Sequence, residues 1–348
     1  MTIIYFTPGP SQLFPTAQKH IQQALKDDIC SLSHRSNSFK VIYKEAVRGI
    51  RKLLTIPDTH EIAFLSSSLE AMERIIENMV INKSFHVIDG AFSQKWYDMT
   101  LSLGKKSLST TLELSKPVNS LTIPKHTELI CITHNETSTG IMIPLSEIYR
   151  VKKRNPSIPI ALDVVSSAPY AAIDFKYIDI AFFSVQKGLG LPAGLSILIV
   201  NKRLTQKSVG SYHAFKELFK KSVDNQTPET PNVLDIYLVA QVTKDMLKKR
   251  IQAIRLETEE KADMLYNFFE TCNIGRPFIT DKKYRSSTTI VIDVNNKSEQ
   301  IAGLLKKKRM IVGRGYGEYK NTHIRIANFP QHSMKMMKDL ISAFRALK

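Results

Sequence analysis

Lys187 stands in Phe182-Phe183-Ser184-Val185-Gln186-Lys187-Gly188, just past an apolar run. A lysine at a strand end, flanked by small and polar residues, projects into whatever the strand tops of a sheet enclose, and in open α/β sheets ligands bind there. Taken alone it is also what a surface turn looks like in a lysine-rich chain. Asp163, in Ile160-Ala161-Leu162-Asp163, closes another apolar run. A carboxylate buried there is disfavoured unless a cation or hydrogen-bond donor meets it. Together the two have a chemistry. An amine with a depressed pKa condenses with a carbonyl to form a Schiff base, and an acid keeps a pyridine nitrogen protonated so that the ring can act as an electron sink. That is what pyridoxal 5'-phosphate requires. It also requires a phosphate cup, and Ser66-Ser67-Ser68 ahead of a helical stretch offers hydroxyls and backbone N–H groups. The same serines would serve equally well as a helix N-cap.

Other chemistries find less support. No GxxxxGK[ST] or HExxH motif occurs, so neither a P-loop nor a zinc site of that kind is expected, and no metal is implied. Gly188-Leu189-Gly190 and Gly313-Arg314-Gly315-Tyr316-Gly317 do not complete GxGxxG at a strand-to-helix turn and read as turn glycines. Cys30, Cys131 and Cys272 lie far apart with no CxxC pair, which argues against a disulfide framework and for a reducing compartment. The 348 residues carry 49 Lys+Arg against 32 Asp+Glu, a formal charge of +17. Its basic clusters, at 105–106, 152–154, 220–221, 248–250 and 306–309, are spread along the chain without an aromatic-interleaved motif or zinc finger. They read as solvated helix faces that attract small anions, not as a nucleic-acid footprint.

The elements that must position Lys187 and Asp163 follow from periodicity. Apolar runs at 61–65, 85–88, 129–133, 160–164, 178–183 and 195–200 predict strands, with helical spacing at 71–80 and 145–154 between them. This is the pattern of an α/β domain with a mainly parallel sheet. After Thr227-Pro228-Glu229-Thr230-Pro231, the stretch 233–271 is helical and too long for one ordinary helix, so it is two helices or one long connector. Strands near 288–294 and 324–327 and helices near 298–308 and 333–347 then form a smaller unit. The expected division is 1–240 for the N-terminal segment and large domain, and 241–348 for the connecting helix and small domain. At 43% hydrophobic residues the chain is globular. Its longest apolar stretch falls well short of the roughly 20 residues of a membrane span. The start of the chain lacks the features of a signal peptide, and a cytoplasmic protein is expected.

With these residues in hand, the sequence resembles the class V (fold type I) pyridoxal phosphate-dependent aminotransferases. The resemblance runs in order over nearly the whole chain. It includes Phe6-Thr7-Pro8-Gly9-Pro10-Ser11, Ser33-His34-Arg35-Ser36, the serine loop, Gly90-Ala91-Phe92-Ser93, His134-Asn135-Glu136-Thr137, Asp163, Ser184-Val185-Gln186-Lys187, Gln226-Thr227-Pro228 and Arg325-Ile326-Ala327-Asn328-Phe329. It implies a large domain with a mainly parallel seven-stranded sheet and a smaller α+β C-terminal domain. It implies that Lys187 holds the cofactor and that Asp163 pairs with the ring nitrogen. Phe92 falls where the family stacks an aromatic ring, usually Trp. Thr137 would bond the ring hydroxyl oxygen, with Ser67, Ser68 and Gln186 around ring and phosphate. Gln226 and Thr227 match the segment that reaches the phosphate from a neighbouring subunit, so a homodimer is implied. Arg325 would bind the substrate α-carboxylate, and His34 and Arg35 the distal group. Within the family the likeness is strongest to the branch that exchanges 3-phosphoserine and 2-oxoglutarate for 3-phosphohydroxypyruvate and glutamate. Serine–pyruvate and alanine–glyoxylate branches are the alternatives. A cysteine desulfurase or lyase on the same fold would need a reactive cysteine in a mobile loop, which neither Cys131 nor Cys272 offers.

Overall fold

The computed structural model describes residues 3–113, 118–207 and 209–347. The chain opens with strand β1 (Ile4–Phe6) and helices α1 (Ala17–Lys26) and α2 (Asn37–Leu53). The larger sheet starts with β2 (His60–Leu65), from which the chain turns through Ser66 and Ser67 into α3 (Ser68–Met79). Next come β3 (Ser84–Ile88), α4 (Ala91–Ser102), β4 (Leu108–Thr111) and β5 (Leu129–Thr133), then a short hairpin of β6 (Asn135–Glu136) and β7 (Ile141–Met142). Helix α5 (Leu145–Arg154), β8 (Ile160–Asp163), β9 (Ile180–Ser184), β10 (Ser196–Asn201) and α6 (Phe215–Val223) complete this layer.

The seven strands lie in the order β2-β10-β9-β8-β5-β3-β4. All pairings are parallel except those of β10, which runs antiparallel between β2 and β9. The central strands β5, β8 and β9 are apolar at nearly every position and buried throughout, as strands covered on both faces must be. Because β2, β5, β8 and β9 share one direction, their carboxyl ends meet at one edge. The register sets Thr133 opposite Asp163 and Asp163 opposite Phe182.

The helical stretch resolves into α7 (Val233–Lys249), which packs on α1 and α2, and α8 (Ile251–Thr271). They part at Arg250, which takes φ 64° without a glycine or proline to announce the break. A second sheet, ordered β1-β13-β14-β12-β11, follows from β11 (Arg276–Pro277), β12 (Thr289–Asp293), β13 (Met310–Arg314) and β14 (His323–Ala327). The N-terminal strand joins it, parallel to β13. Helices α8, α9 (Ser298–Lys307) and α10 (Met334–Arg345) close over it, and Phe6, Leu265, Phe269, Ile292, Ile324 and Phe344 fill the core between. Among the described residues no helix is long and apolar enough to cross a membrane.

Candidate active site

The shared strand edge is floored by serines. Ser67 caps α3, its Oγ accepting the Glu70 N–H at 3.1 Å. Ser68 Oγ bonds both Ser184 Oγ and Ser196 Oγ, so the helix start is pinned to the ends of β9 and β10. Glu70 reaches back to the Ser66 N–H at 2.9 Å and is itself held by Arg74. The result is a helix N-terminus, positive by its dipole and rigid by these bonds, facing the cavity.

Asp163 ends β8, and Lys187 lies just beyond the end of the adjacent β9, both at this edge. Asp163 Oδ1 accepts the Val165 N–H at 2.8 Å. Burial pushes its carboxyl up to about 7, against the opposing pull of that bond and of the Lys187 ammonium. Burial likewise brings Lys187 down from the ordinary 10.5 to about 8, with Asp163 and Glu136 opposing the shift. The lysine stem runs over Gly9, where a Cβ would come within 2.8 Å of Lys187 Cε. The Lys187 carbonyl accepts N–H groups from Gly190 at 2.9 Å and from the Gln331 side chain at 2.8 Å.

Phe92, in the first turn of α4, turns its ring to Lys187 Nζ at 5.5 Å and to the Tyr316 ring at 5.1 Å. Its helix start is fixed by Glu136, which is fully buried: Oε2 accepts the Phe92 and Ser93 N–H groups at 2.9 and 3.0 Å, and Oε1 accepts from Ser138. From the second sheet, Arg325 donates through Nε to the Arg314 carbonyl at 2.8 Å and through Nη1 to the Thr137 carbonyl at 3.4 Å. Its guanidinium lies 5.5 Å from the Tyr316 ring centre.

Ser67, Ser68, Phe92, Thr137, Asp163, Gln186, Lys187 and Arg325 line one cavity of about 410 Å³. His34, Arg35, Gln226 and Thr227 do not line it. They are assembled elsewhere: Arg35 donates to Gln226 Oε1 at 2.8 Å and to the Thr227 and Pro228 carbonyls at 2.9 and 3.0 Å. Burial and the Arg35 charge hold the neighbouring His34 below its ordinary pKa. Sequence reasoning did not assign Glu136, Tyr316 or Gln331. Tyr316 lay inside a glycine-rich run read as turns, and its flanking Gly317 does take a left-handed φ of 56°. Gly315 is tighter still, since a Cβ there would meet the Tyr319 carbonyl oxygen.

The cavity fits a phosphorylated pyridine aldehyde. Three buried polar atoms of its lining residues, Thr133 Oγ1, Asn135 Oδ1 and Gln186 Oε1, have no hydrogen-bond partner among the described residues. An amine of lowered pKa, an acid beside it, an aromatic ring and a capped helix start complete the set. Such a site, at the strand ends of this doubly covered sheet, defines a pyridoxal 5'-phosphate enzyme.

The class-V aminotransferase family matches residues 3–319. The phosphoserine aminotransferase of Lactococcus lactis subsp. cremoris is 28% identical over 331 residues, covering 88% of this chain and 87% of that one. A solved phosphoserine aminotransferase from Cytophaga hutchinsonii is 41% identical over 99% of both chains, with a TM-score of 0.96. An alanine–glyoxylate aminotransferase from Nostoc shares the fold, with a TM-score of 0.84 at 17% identity over 99% of this chain and 95% of that one. The chain belongs to the class V aminotransferases, and it is a pyridoxal phosphate-dependent enzyme.

Proposed function

We propose that the enzyme exchanges 3-phosphoserine and 2-oxoglutarate with 3-phosphohydroxypyruvate and glutamate, as a cytoplasmic homodimer serving serine biosynthesis. The observation that carries the reading is the meeting of Lys187, Asp163 and Arg325 in one cavity. The choice of substrate is supported by relatives named phosphoserine aminotransferase, one of them 41% identical.

When bound, the cofactor supplies an aldehyde that captures amines and a ring that accepts the electron pair released at the substrate Cα. Lys187 Nζ holds it between turnovers. Freed for catalysis, the same nitrogen would serve as the base for the substrate Cα proton, and a pKa of about 8 leaves much of it neutral for this at mildly alkaline pH. A cation set against Asp163 draws its carboxyl back below about 7 and keeps it ionised, so acid and protonated ring nitrogen stabilise each other. Ser67, Ser68 and the α3 N-terminus would hold the cofactor phosphate, Phe92 would stack on the ring, Thr137 would bond the ring hydroxyl oxygen, and Gln186 would lie beside ring and phosphate. Arg325 receives the substrate α-carboxylate through a two-pronged fork that lysine cannot reproduce.

His34, Arg35, Gln226 and Thr227 would serve the site of a second copy. Their joint position off this chain's own cavity supports that reading. The division of the chain near residue 240 into a large and a small domain is supported by the break between α7 and α8 at Arg250.

One observation favours an alanine–glyoxylate or serine–pyruvate reading. Among the described residues, Lys187 and Arg325 supply the cations lining the cavity, few for a substrate phosphate in addition to a carboxylate. Single-turnover reaction of the aminated enzyme with 3-phosphohydroxypyruvate, glyoxylate and pyruvate separates them. A large preference for the phosphorylated acid is expected, and comparable rates for all three would refute the phosphoserine assignment. Borohydride should fix the cofactor on Lys187, and Lys187→Ala should lose both its absorbance and transamination.

A further inference from the structure

Lys261, in the middle of α8, is fully buried. Glu257, one turn earlier, is engaged by Lys249 instead. The Lys261 ammonium donates to two backbone carbonyls, that of His332 at 2.6 Å and that of Phe329 at 3.2 Å. Lysine is seldom buried without an ionic partner, and here burial brings its pKa down to about 8. A residue held at that cost in a well-packed helix calls for a reason in what it holds.

What it holds is the turn from β14 into α10. His332 accepts the Phe329 N–H on Nδ1 at 3.0 Å, so its other nitrogen carries the proton and donates to the Tyr5 carbonyl at 2.9 Å. Asn328 ties the start of the turn to the Thr258 and Ser287 carbonyls, both at 2.8 Å. Between Phe329 and His332 sits Gln331, buried, whose Nε2 donates to the Lys187 carbonyl at 2.8 Å. The turn thus leads from the strand that carries Arg325 to the backbone of Lys187, and Lys261 bonds both of its ends.

We propose that Lys261 is a positioning residue for the transamination. By gripping the Phe329 and His332 carbonyls it fixes the turn that presents Gln331 to the Lys187 carbonyl, and so sets where the reacting amine can reach. The proposal rests on the reading of Lys187 as that amine.

Two variants test it in the holoenzyme. Lys261→Met keeps the bulk and removes the donors; Gln331→Leu removes the last bond of the path. Each should lower kcat by about tenfold or more, as small displacements of a reacting group do, with the KM for the keto acid changed less. Each should also speed cofactor release and shift the pH midpoint of the bound cofactor's absorbance, which reports the setting of Lys187 directly. The double variant should be no worse than the worse single one, since both break the same path. A Lys261→Met enzyme that only melts at lower temperature, with kcat and absorbance midpoint unchanged, overturns the proposal, as do fully additive losses in the double variant. Should Lys261→Met not fold, Gln331→Leu decides: unchanged kcat and midpoint there refute the path. Failure of the underlying reading would look different, with Lys187→Ala itself retaining bound cofactor and activity.

Discussion

Stripped of cofactor, the protein should recapture it at a rate that follows the neutral fraction of Lys187. Condensation with an aldehyde needs the free amine. An ordinary lysine, with a pKa near 10.4, is neutral in only about one molecule in a thousand at pH 7.5. Burial brings Lys187 to about 8. That makes about one molecule in four neutral at the same pH, a gain of order 200-fold in reactive amine and equivalent to about 3 kcal/mol against the ammonium form. The assay mixes the apoprotein with pyridoxal phosphate across about pH 6 to 10 and follows the rise of cofactor absorbance. The rate should climb with pH and level off just above 8.

The neighbouring acid sets the sign of a second test. The Asp163 carboxylate stabilises the Lys187 ammonium and so raises its pKa against the stronger effect of burial. Asp163→Asn removes that support, and the midpoint must fall below 8. Asp163, pushed up to about 7 by burial, also loses its charge on the acid side of the same window. The inflection this adds to the wild-type profile should vanish in the variant. A wild-type rate still climbing steeply at pH 10 would show that Lys187 titrates as an ordinary surface lysine. A midpoint that rises in Asp163→Asn would reverse the electrostatic argument.

Two further outcomes follow from the geometry. Gly9 has φ 137° and lies against the lysine stem, so Gly9→Ala should crowd Lys187 Cε and cut both cofactor content and recapture rate, at a stability cost of about 1–3 kcal/mol read by thermal melting. If Arg35 serves the site of a second copy, Arg35→Ala and Lys187→Ala should each be inactive alone, yet hybrids refolded from a mixture should regain activity through one intact site. Absence of recovery in a confirmed hybrid would place Arg35's role within its own chain.

The sequence made the two chemical groups legible because Asp163 ends an apolar strand and Lys187 follows just after another, where burial forces a reason for each charge. Lys187 alone would pass for a surface turn in a lysine-rich chain, and it is Asp163 at the end of another apolar run that gives it a chemical meaning. Glu136 did not stand out, because what it does is cap α4, a helix reached from a different strand and signalled locally only by Gly90-Ala91-Phe92-Ser93. The edge strand β4 has three polar residues in four and is largely exposed, so it carries no apolar run to find. Strand β13 was hidden for another reason. Its Gly313, read as a turn residue, lies inside the strand, and glycine is needed there because a Cβ would meet Pro8 Cδ at 2.9 Å, a contact made by the first segment of the chain. The break at Arg250 has no local mark at all, and packing of α7 on α2 decides it.

The late parts of the chain complete a site whose centre is laid down earlier. Ser11 and Phe14 donate their backbone N–H groups to the Gln186 and Gly190 carbonyls on either side of Lys187, while Gln331 bonds Lys187 itself. Tyr316 and Arg325 bring the second sheet to Phe92 and Thr137. The Lys187 backbone is therefore held by residues from both ends of the sequence, and the second sheet that carries Arg325 is tied to it through Gln331. The charges tell the same story. The chain as a whole carries +17. Within the site, however, Lys187 and Arg325 face Asp163 and Glu136, so the excess lies elsewhere on the protein. In the proposed reading, a locally balanced site of this kind would take its cofactor phosphate on serines and a helix start instead of on a lysine or arginine cluster. Arg325, oriented by the Arg314 and Thr137 carbonyls, would then be left for the substrate carboxylate.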